Sequence, residues 1–350
     1  MSAQGPLGAA DPPLSGFTTL RTGGPATHMV VAETEADLLE AVRAADAAGE
    51  PLTILGGGSN VVVSDAGLPG TVVLVRTRGI DATVDGCAGA WVTVAAGEPW
   101  DALVAHAVAE EWSGIEALAG IPGLTGATPI QNVGAYGQEV ADTIARVTAY
   151  DRVTQRTEVI PAGDCGFGYR TSRFKAEGGQ RHVILSVTFQ LSLGSMSAPV
   201  RYAELAARLG IAVGERAPAT EVRDAVLDLR RAKGMVLDPA DHDTWSVGSF
   251  FTNPIVAPDQ VPEGAPAWPQ PDGSVKTSAA WLVEHAGYPR GYPDHGPARL
   301  STKHALAITN RGSASTSDVL ALAREIRDGV RRRFGITLVP EPVLRGCTLD

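Results

Sequence analysis

Between Gly114 and Gly137 the chain places six glycines, with Pro122 and Pro129 among them, inside the run GIEALAGIPGLTGATPIQNVGAYGQEVAD of Gly114–Asp142. Neither a regular helix nor a central strand tolerates that density of Gly and Pro. Yet Ile115, Leu118, Ile121, Leu124, Ile130, Val133 and Tyr136 interrupt it, so it reads as buried, tightly folded backbone rather than a solvated linker. Glycines let main-chain N–H groups approach a ligand, and successive N–H groups in such turns make anion-binding nests. A diphosphate suits that geometry; a Gly-rich loop between strands is the competing reading.

A second run has the same character. Pro51–Leu55 reads as a short buried strand, followed by Gly56-Gly57-Gly58-Ser59-Asn60 and then Val61-Val62-Val63. No Gly-Lys-Ser/Thr follows, which excludes a Walker A loop. The segment after it is β-branched and reads as strand where the dinucleotide fingerprint needs a helix. Two strand-flanked, Gly-rich turns thus point to one phosphate-bearing ligand outside a Rossmann frame.

Three motifs, Gly56–Asn60, the I-P-G-x-x-G-x-x-P-I-Q-N-x-G-A-Y-G of Ile121–Gly137, and Gly168-Tyr169-Arg170-Thr171-Ser172-Arg173-Phe174-Lys175, resemble those of the UDP-N-acetylenolpyruvoylglucosamine reductase (MurB) family. Gly248-Ser249-Phe250-Phe251-Thr252-Asn253-Pro254 and Pro340-Glu341-Pro342 follow in the family's order, and the similarity covers roughly residues 17 to 346. These are flavoenzymes that make UDP-N-acetylmuramate for peptidoglycan. The resemblance implies an α+β, multi-domain FAD-binding fold of the vanillyl-alcohol-oxidase/MurB type, non-Rossmann, with a separate α+β substrate domain. The division it suggests is a disordered tail over 1–15, a first FAD-binding domain over 16–82 plus 336–350, a second over 83–234, and a substrate-binding domain over 235–335. Non-covalent FAD is the implied cofactor and NADPH the electron donor.

Bulk numbers narrow the partners. The 350 residues carry a formal net charge of −10, which argues against nucleic acid or an anionic membrane and requires local cations to capture an anionic substrate. Cys87, Cys165 and Cys347 lie far apart, without metal-ligand spacing and in odd number, so a reducing, cytoplasmic setting and no metal are expected. No apolar run is long enough to span a membrane, and the first residues lack the pattern of a signal peptide. A monomer is expected.

Along the chain, Thr34 and Asp37 form a capping box for a helix that Gly49 stops. Pro99 opens a second helix. Ile144–Tyr150, Thr157–Ile160 and Val183–Leu193 read as strands, and Tyr202–Leu209 and Glu221–Lys233 as helices. Ser246–Pro254 reads as a turn-rich strand segment. Pro254–Pro271, with six prolines, reads as a loop. Ser278–His285 and the amphipathic Ser317–Phe334 read as helices, and Ile336–Leu344 as a closing strand.

Reducing the double bond of an enolpyruvyl ether needs a hydride on one carbon and a proton on the other. The resemblance assigns Arg170 to the substrate carboxylate, where a guanidinium engages at two points. It pairs Glu341 with Arg170 and makes Ser249 the proton donor. Its cofactor contacts fall on Gly56, Gly57, Gly58, Ser59, Asn60, Ile121, Pro122, Gly123, Thr128, Gln131, Asn132, Gly134 and Ala135. Its substrate contacts fall on Tyr169, Tyr202, Lys233, Asn253, Trp268 and Lys276. Trp268 stands where a tyrosine is expected, and Val343 stands where the family often has a flavin-contacting arginine, with Arg345 further on. Tyr202 suggests the longer form of the family, in which a tyrosine loop closes over the substrate. A flavin oxidase of the same fold and a non-catalytic nucleotide-sugar binder are the alternatives; Ser59 and Asn60 offer no histidine for covalent flavin.

Overall fold

Strands and helices alternate irregularly along the chain, and the computed structural model, which describes residues 12–176 and 180–350, sorts them into two compact units. One comprises residues 30–57 and 73–238; the other comprises 1–29, 58–72 and 239–350. Most of the tail expected over 1–15 lies outside the described residues. Leu14 and Ser15 do not: they begin a 3-10 turn, Leu14–Phe17, whose backbone bonds to Gly23 and Gly24 and buries Leu14.

The 30–57/73–238 unit is built on a six-stranded antiparallel sheet. Its order is Arg156–Pro161, Ile144–Asp151, His182–Leu193, Gly89–Ala95 and Ile80–Asp85, with the short strand Trp112–Ser113 extending the far end of His182–Leu193. Register places Val147 opposite Val187 and Val187 opposite Val94, all three fully buried. This is the period-2 burial of one sheet face. Helix Glu35–Ala48 has the expected reciprocal cap at Thr34 and Asp37, and Gly49 ends it in the left-handed conformation. Helix Trp100–Ala109 follows Pro99 and buries Trp100, whose ring lies 5.8 Å from Phe189 and whose indole N–H donates to the Leu118 carbonyl at 3.0 Å. Helices Ala203–Leu209 and Ala219–Ala232 follow, as expected, and the core of this unit runs continuously from Leu38 to Leu227. The strand Ile80–Asp85 was not read from the sequence; every residue in it is exposed, so no apolar alternation marks it.

The other unit centres on helix Thr316–Phe334, which buries Val319, Leu322, Ala323, Ile326 and Val330. Ser315 and Asp318 cap it reciprocally. Asp65 accepts from the Thr316 and Ser317 amides at 2.7 and 2.9 Å, closing the helix start from a distant part of the chain. Strand Val61–Val63 pairs in parallel with Val343–Arg345. Two expectations change here. The closing strand covers only Val343–Arg345 rather than Ile336–Leu344, because Pro340 and Pro342 remove ladder donors. The proline-rich loop contains short strands Ile255–Val256 and Ala267–Pro269, both paired with Val275–Thr277. Ser246–Pro254 forms turns with one isolated bridge, Phe251 to Pro340.

Candidate functional site

Gly-rich segments pack against each other when no Cβ intervenes, and this happens in the 30–57/73–238 unit. A Cβ on Gly57 would lie 2.7 Å from the Gly123 Cα, so the two Gly-rich turns touch backbone to backbone. Gly56 differs: its Cβ would meet only the Leu124 side chain at 3.6 Å. The amides of Gly56 and Gly57 donate to no acceptor among the described residues, and both residues are half-exposed. Arg76 donates to the Gly56 carbonyl at 3.1 Å, and burial pulls its pKa down, Arg78 adding to the effect. Paired turns with uncommitted amides and a guanidinium beside them suit a diphosphate. The residues present therefore fit the FAD that the resemblance implies.

The rest of the central segment shapes this cradle from within. Asn132 adopts a left-handed φ of 46°, and its buried side chain donates to the Glu139 carboxylate at 2.7 Å and to the Gly168 carbonyl at 3.2 Å while accepting from the Ala141 amide at 3.1 Å. Gly134–Ala135 and Gln138–Glu139 form a two-residue hairpin, and a Cβ on Gly134 would press on Glu139 and on the Gln138 carbonyl. Thr128 is buried with its hydroxyl donated to the Thr125 carbonyl. As placed, Asn132, Thr128 and Gly134 hold the loop's shape through side-chain bonds and close packing. Ile121, Pro122 and Gln131 lie half-exposed in the same segment. Glu116, which the sequence reading passed over, is fully buried at its start. It accepts from the Gly114 and Ala198 amides at 2.6 Å each and from the Gln138 side chain at 3.0 Å.

Tyr169 and Arg170 occupy the tip of a tight turn in which Gly168 and Thr171 exchange both backbone hydrogen bonds. Arg170 is held at φ 53°, uncommon for a long side chain. Its guanidinium donates to the Gly134 carbonyl at 3.0 Å, and Lys175 donates to its own carbonyl at 3.1 Å. Such over-determined strain is found at functional turns. Beyond the turn, Tyr136 stands edge-on to Tyr202 with ring centroids 5.4 Å apart. Lys233 lies over the Tyr136 ring at 5.7 Å and bonds Glu204 at 2.6 Å. Burial works against the Lys233 ammonium, but the Glu204 hydrogen bond and neighbouring charges prevail and its pKa is raised. Arg230, one turn earlier, is pushed down to about 10 by burial. Burial raises the Tyr136 phenol against the pull of both cations.

The other unit carries the remaining candidates. Gly58 adopts φ 62°, and its Cβ would strike the Phe17 carbonyl oxygen at 2.0 Å; Ser59 and Asn60 follow it, and the Asn60 carbonyl accepts from the Val343 amide. Ser249 is half-exposed beside the buried pair Phe250 and Phe251, whose rings lie 5.2 Å apart. The Glu341 amide donates to the Phe250 carbonyl at 2.9 Å, which brings Glu341 to the backbone next to Ser249. Trp268 and Lys276 are cross-strand partners. The Asn253 side chain accepts from the Ala279 amide at 2.9 Å at the start of helix Ala279–His285. Arg345 lies in the strand paired with Val61–Val63, and burial lowers its pKa.

Elsewhere, Asp151, Glu158 and His182 bring possible ligand atoms within 4.8 Å of one another. Asp151, however, is engaged by Arg181 at 2.7 and 3.0 Å and by the Val153 amide, which makes it one half of an ion pair.

Residues 26–160 match the profile of an FAD binding domain, and residues 238–345 match that of the UDP-N-acetylenolpyruvoylglucosamine reductase C-terminal domain. With the paired Gly-rich turns, these define the class: an FAD-dependent oxidoreductase of the non-Rossmann kind. A UDP-N-acetylenolpyruvoylglucosamine reductase of Cutibacterium acnes is 60% identical over 344 residues, covering 98% of this chain and 91% of the relative. One from Salinispora arenicola is 57% identical, covering 96% and 95%. The crystal structure of the MurB enzyme of Thermus caldophilus superposes with a TM-score of 0.66 at 26% identity, covering 95% of this chain and 97% of that one. The chain belongs to the UDP-N-acetylenolpyruvoylglucosamine reductase family.

Proposed function

We propose that this chain reduces UDP-N-acetylenolpyruvoylglucosamine to UDP-N-acetylmuramate with Arg170, Ser249 and Glu341 as its catalytic residues. FAD, when bound, supplies the hydride taken from NADPH. The amides of Gly56 and Gly57 and the half-exposed edge of Ile121–Ala135 would hold it. The single observation that carries the reading is the backbone contact of Gly57 with Gly123 beside amides that donate to no acceptor among the described residues.

The chain's own residues then divide the work. Arg170 binds the substrate carboxylate and stabilises the charge that builds on it as the double bond is reduced. Its strained turn fixes the guanidinium before substrate arrives. Ser249 Oγ donates a proton to the carbon beside that carboxylate, next to the buried rings of Phe250 and Phe251. Glu341, set rigidly between two prolines, partners the carboxylate-binding group. Lys233, Tyr202 and Tyr169 contact the nucleotide sugar, as do Asn253, Lys276 and Trp268 from the region matching the family's C-terminal domain. Three free cysteines support a cytoplasmic protein, and among the described residues no helix is long and apolar enough to cross a membrane. The same reading makes it a monomer.

Ser249→Ala tests the assignment. NADPH should reduce the flavin at the wild-type rate, while turnover drops by about 10²–10⁴-fold, the contribution of a positioned acid. Stopped-flow measurement of the two half-reactions separates them. Slow flavin reduction with normal reoxidation by substrate contradicts the proton-donor role.

A further inference from the structure

Lys233 reaches Glu204 at 2.6 Å, and the two side chains keep 35% and 43% of their surface in solvent. An ion pair that open is worth only about 2–5-fold in an equilibrium. A charge-assisted bond from the same ammonium to a phosphate is worth about 10–150-fold. An arriving diphosphate therefore displaces the carboxylate rather than being blocked by it. Arg230, three residues earlier, acts with Lys233 on Tyr136; its Nε is buried and has no hydrogen-bond partner among the described residues, and its Nη2 donates to the Met235 carbonyl at 2.8 Å. Two cations thus share one patch, Glu204 forms an ion pair with Lys233, and the rings of Tyr136 and Tyr202 flank it.

We propose that Glu204 is a built-in competitor for the substrate's diphosphate: it occupies the Lys233 ammonium in the ligand-free chain and sets nucleotide-sugar affinity without taking part in the chemistry. It is a positioning residue that acts through Lys233, and the proposal rests on Lys233 being a substrate contact. Glu204 also lies in the first turn of helix Ala203–Leu209, which Tyr202 precedes as N-cap.

The test uses oxidised, FAD-loaded enzyme, so that substrate binds without turnover, and reads Kd by calorimetry for UDP-N-acetylenolpyruvoylglucosamine and for UDP. Glu204→Gln should tighten both ligands about 2–5-fold, lower the substrate KM by the same factor and leave kcat unchanged. Glu204→Asp should fall between the two. Lys233→Ala should weaken binding about 10-fold or more, and adding Glu204→Gln to it should change nothing further. A gain in affinity cannot come from a damaged fold. Unchanged or weaker binding in Glu204→Gln, with Lys233→Ala still impaired, overturns the competitor and leaves the Lys233 assignment standing. Unchanged binding in Lys233→Ala overturns that assignment and this inference with it.

Discussion

Gly57 and Gly56 are neighbours in one turn, yet the structure predicts opposite outcomes for the same substitution. Alanine at Gly57 puts a methyl 2.7 Å from the Gly123 Cα, 3.3 Å from its carbonyl carbon and 3.5 Å from its nitrogen. All three atoms are backbone, so no side chain can swing aside and the turns must separate. Overpacking of this kind costs about 1–3 kcal/mol. If the strain falls wholly on the ligand-competent arrangement, FAD binds about 5- to 150-fold more weakly. Alanine at Gly56 instead meets only the Leu124 side chain, at 3.6 Å and beyond. Stability there should change by no more than about 0.5 kcal/mol, and the amide edge of the turn stays as it was. Flavin release on dilution, followed by recovery of FAD fluorescence, reads affinity; thermal unfolding of the same samples reads stability. Wild-type flavin retention and melting in Gly57→Ala would refute the contact between the turns. A larger loss in Gly56→Ala than in Gly57→Ala would reverse the roles assigned to them.

Two further outcomes follow from buried carboxylates. Glu116→Ala strands the Gly114 and Ala198 amides without their acceptor and should cost about 2–5 kcal/mol in urea unfolding; a loss under about 1 kcal/mol would show that water or a shifted loop satisfies them. The Arg181 hydrogen bond holds the Asp151 carboxyl well below the usual carboxylate range. Because the folded value is the lower one, this stabilisation is complete above the unfolded value near ~3.9 and disappears as pH falls through the folded value. Asp151→Asn should therefore cost about 1–3 kcal/mol at pH 7, discounted for an arginine that is one-third exposed, and less at pH 3. An equal deficit at both pH values would mean the loss is packing rather than charge.

Local chemistry made much of this fold readable, and distance in sequence hid the rest. Thr34 with Asp37, Gly49 after the helix, and the apolar stripe from Val319 to Val330 each mark structure within a few residues, because caps and amphipathic faces are local devices. Ile80–Asp85 went unread because an exposed edge strand needs no buried alternation. Pro340 and Pro342 shortened the closing strand to Val343–Arg345, a constraint visible in the sequence that the reading of Ile336–Leu344 as strand did not apply. At the candidate site, the two Gly-rich turns announced themselves by composition, but only folding brings Gly57 onto Gly123. Glycine there serves the contact between turns. Glu116, Arg76 and Arg230 gave no sequence signal, because the partners that bury them lie elsewhere in the fold: the Ala198 amide for Glu116 and the Gly56 carbonyl for Arg76.

The unit formed by residues 30–57 and 73–238 is complete within the first two-thirds of the chain. The other is not: the strand Val61–Val63 waits for Val343–Arg345, and Asp65 waits for the amides of Thr316 and Ser317. During synthesis from the N-terminus, the first unit can fold while the rest is still being made. The second lacks its parallel partner for roughly a hundred more residues, about 5–20 s at ordinary elongation rates. For that interval Val61–Val63 is an apolar strand with nothing to pair against, which is the kind of edge that recruits other chains. A ribosome stalled between residues 239 and 343 would therefore hold a finished flavin-loop unit beside an open strand, and nascent chains of that length are where chaperone dependence should concentrate.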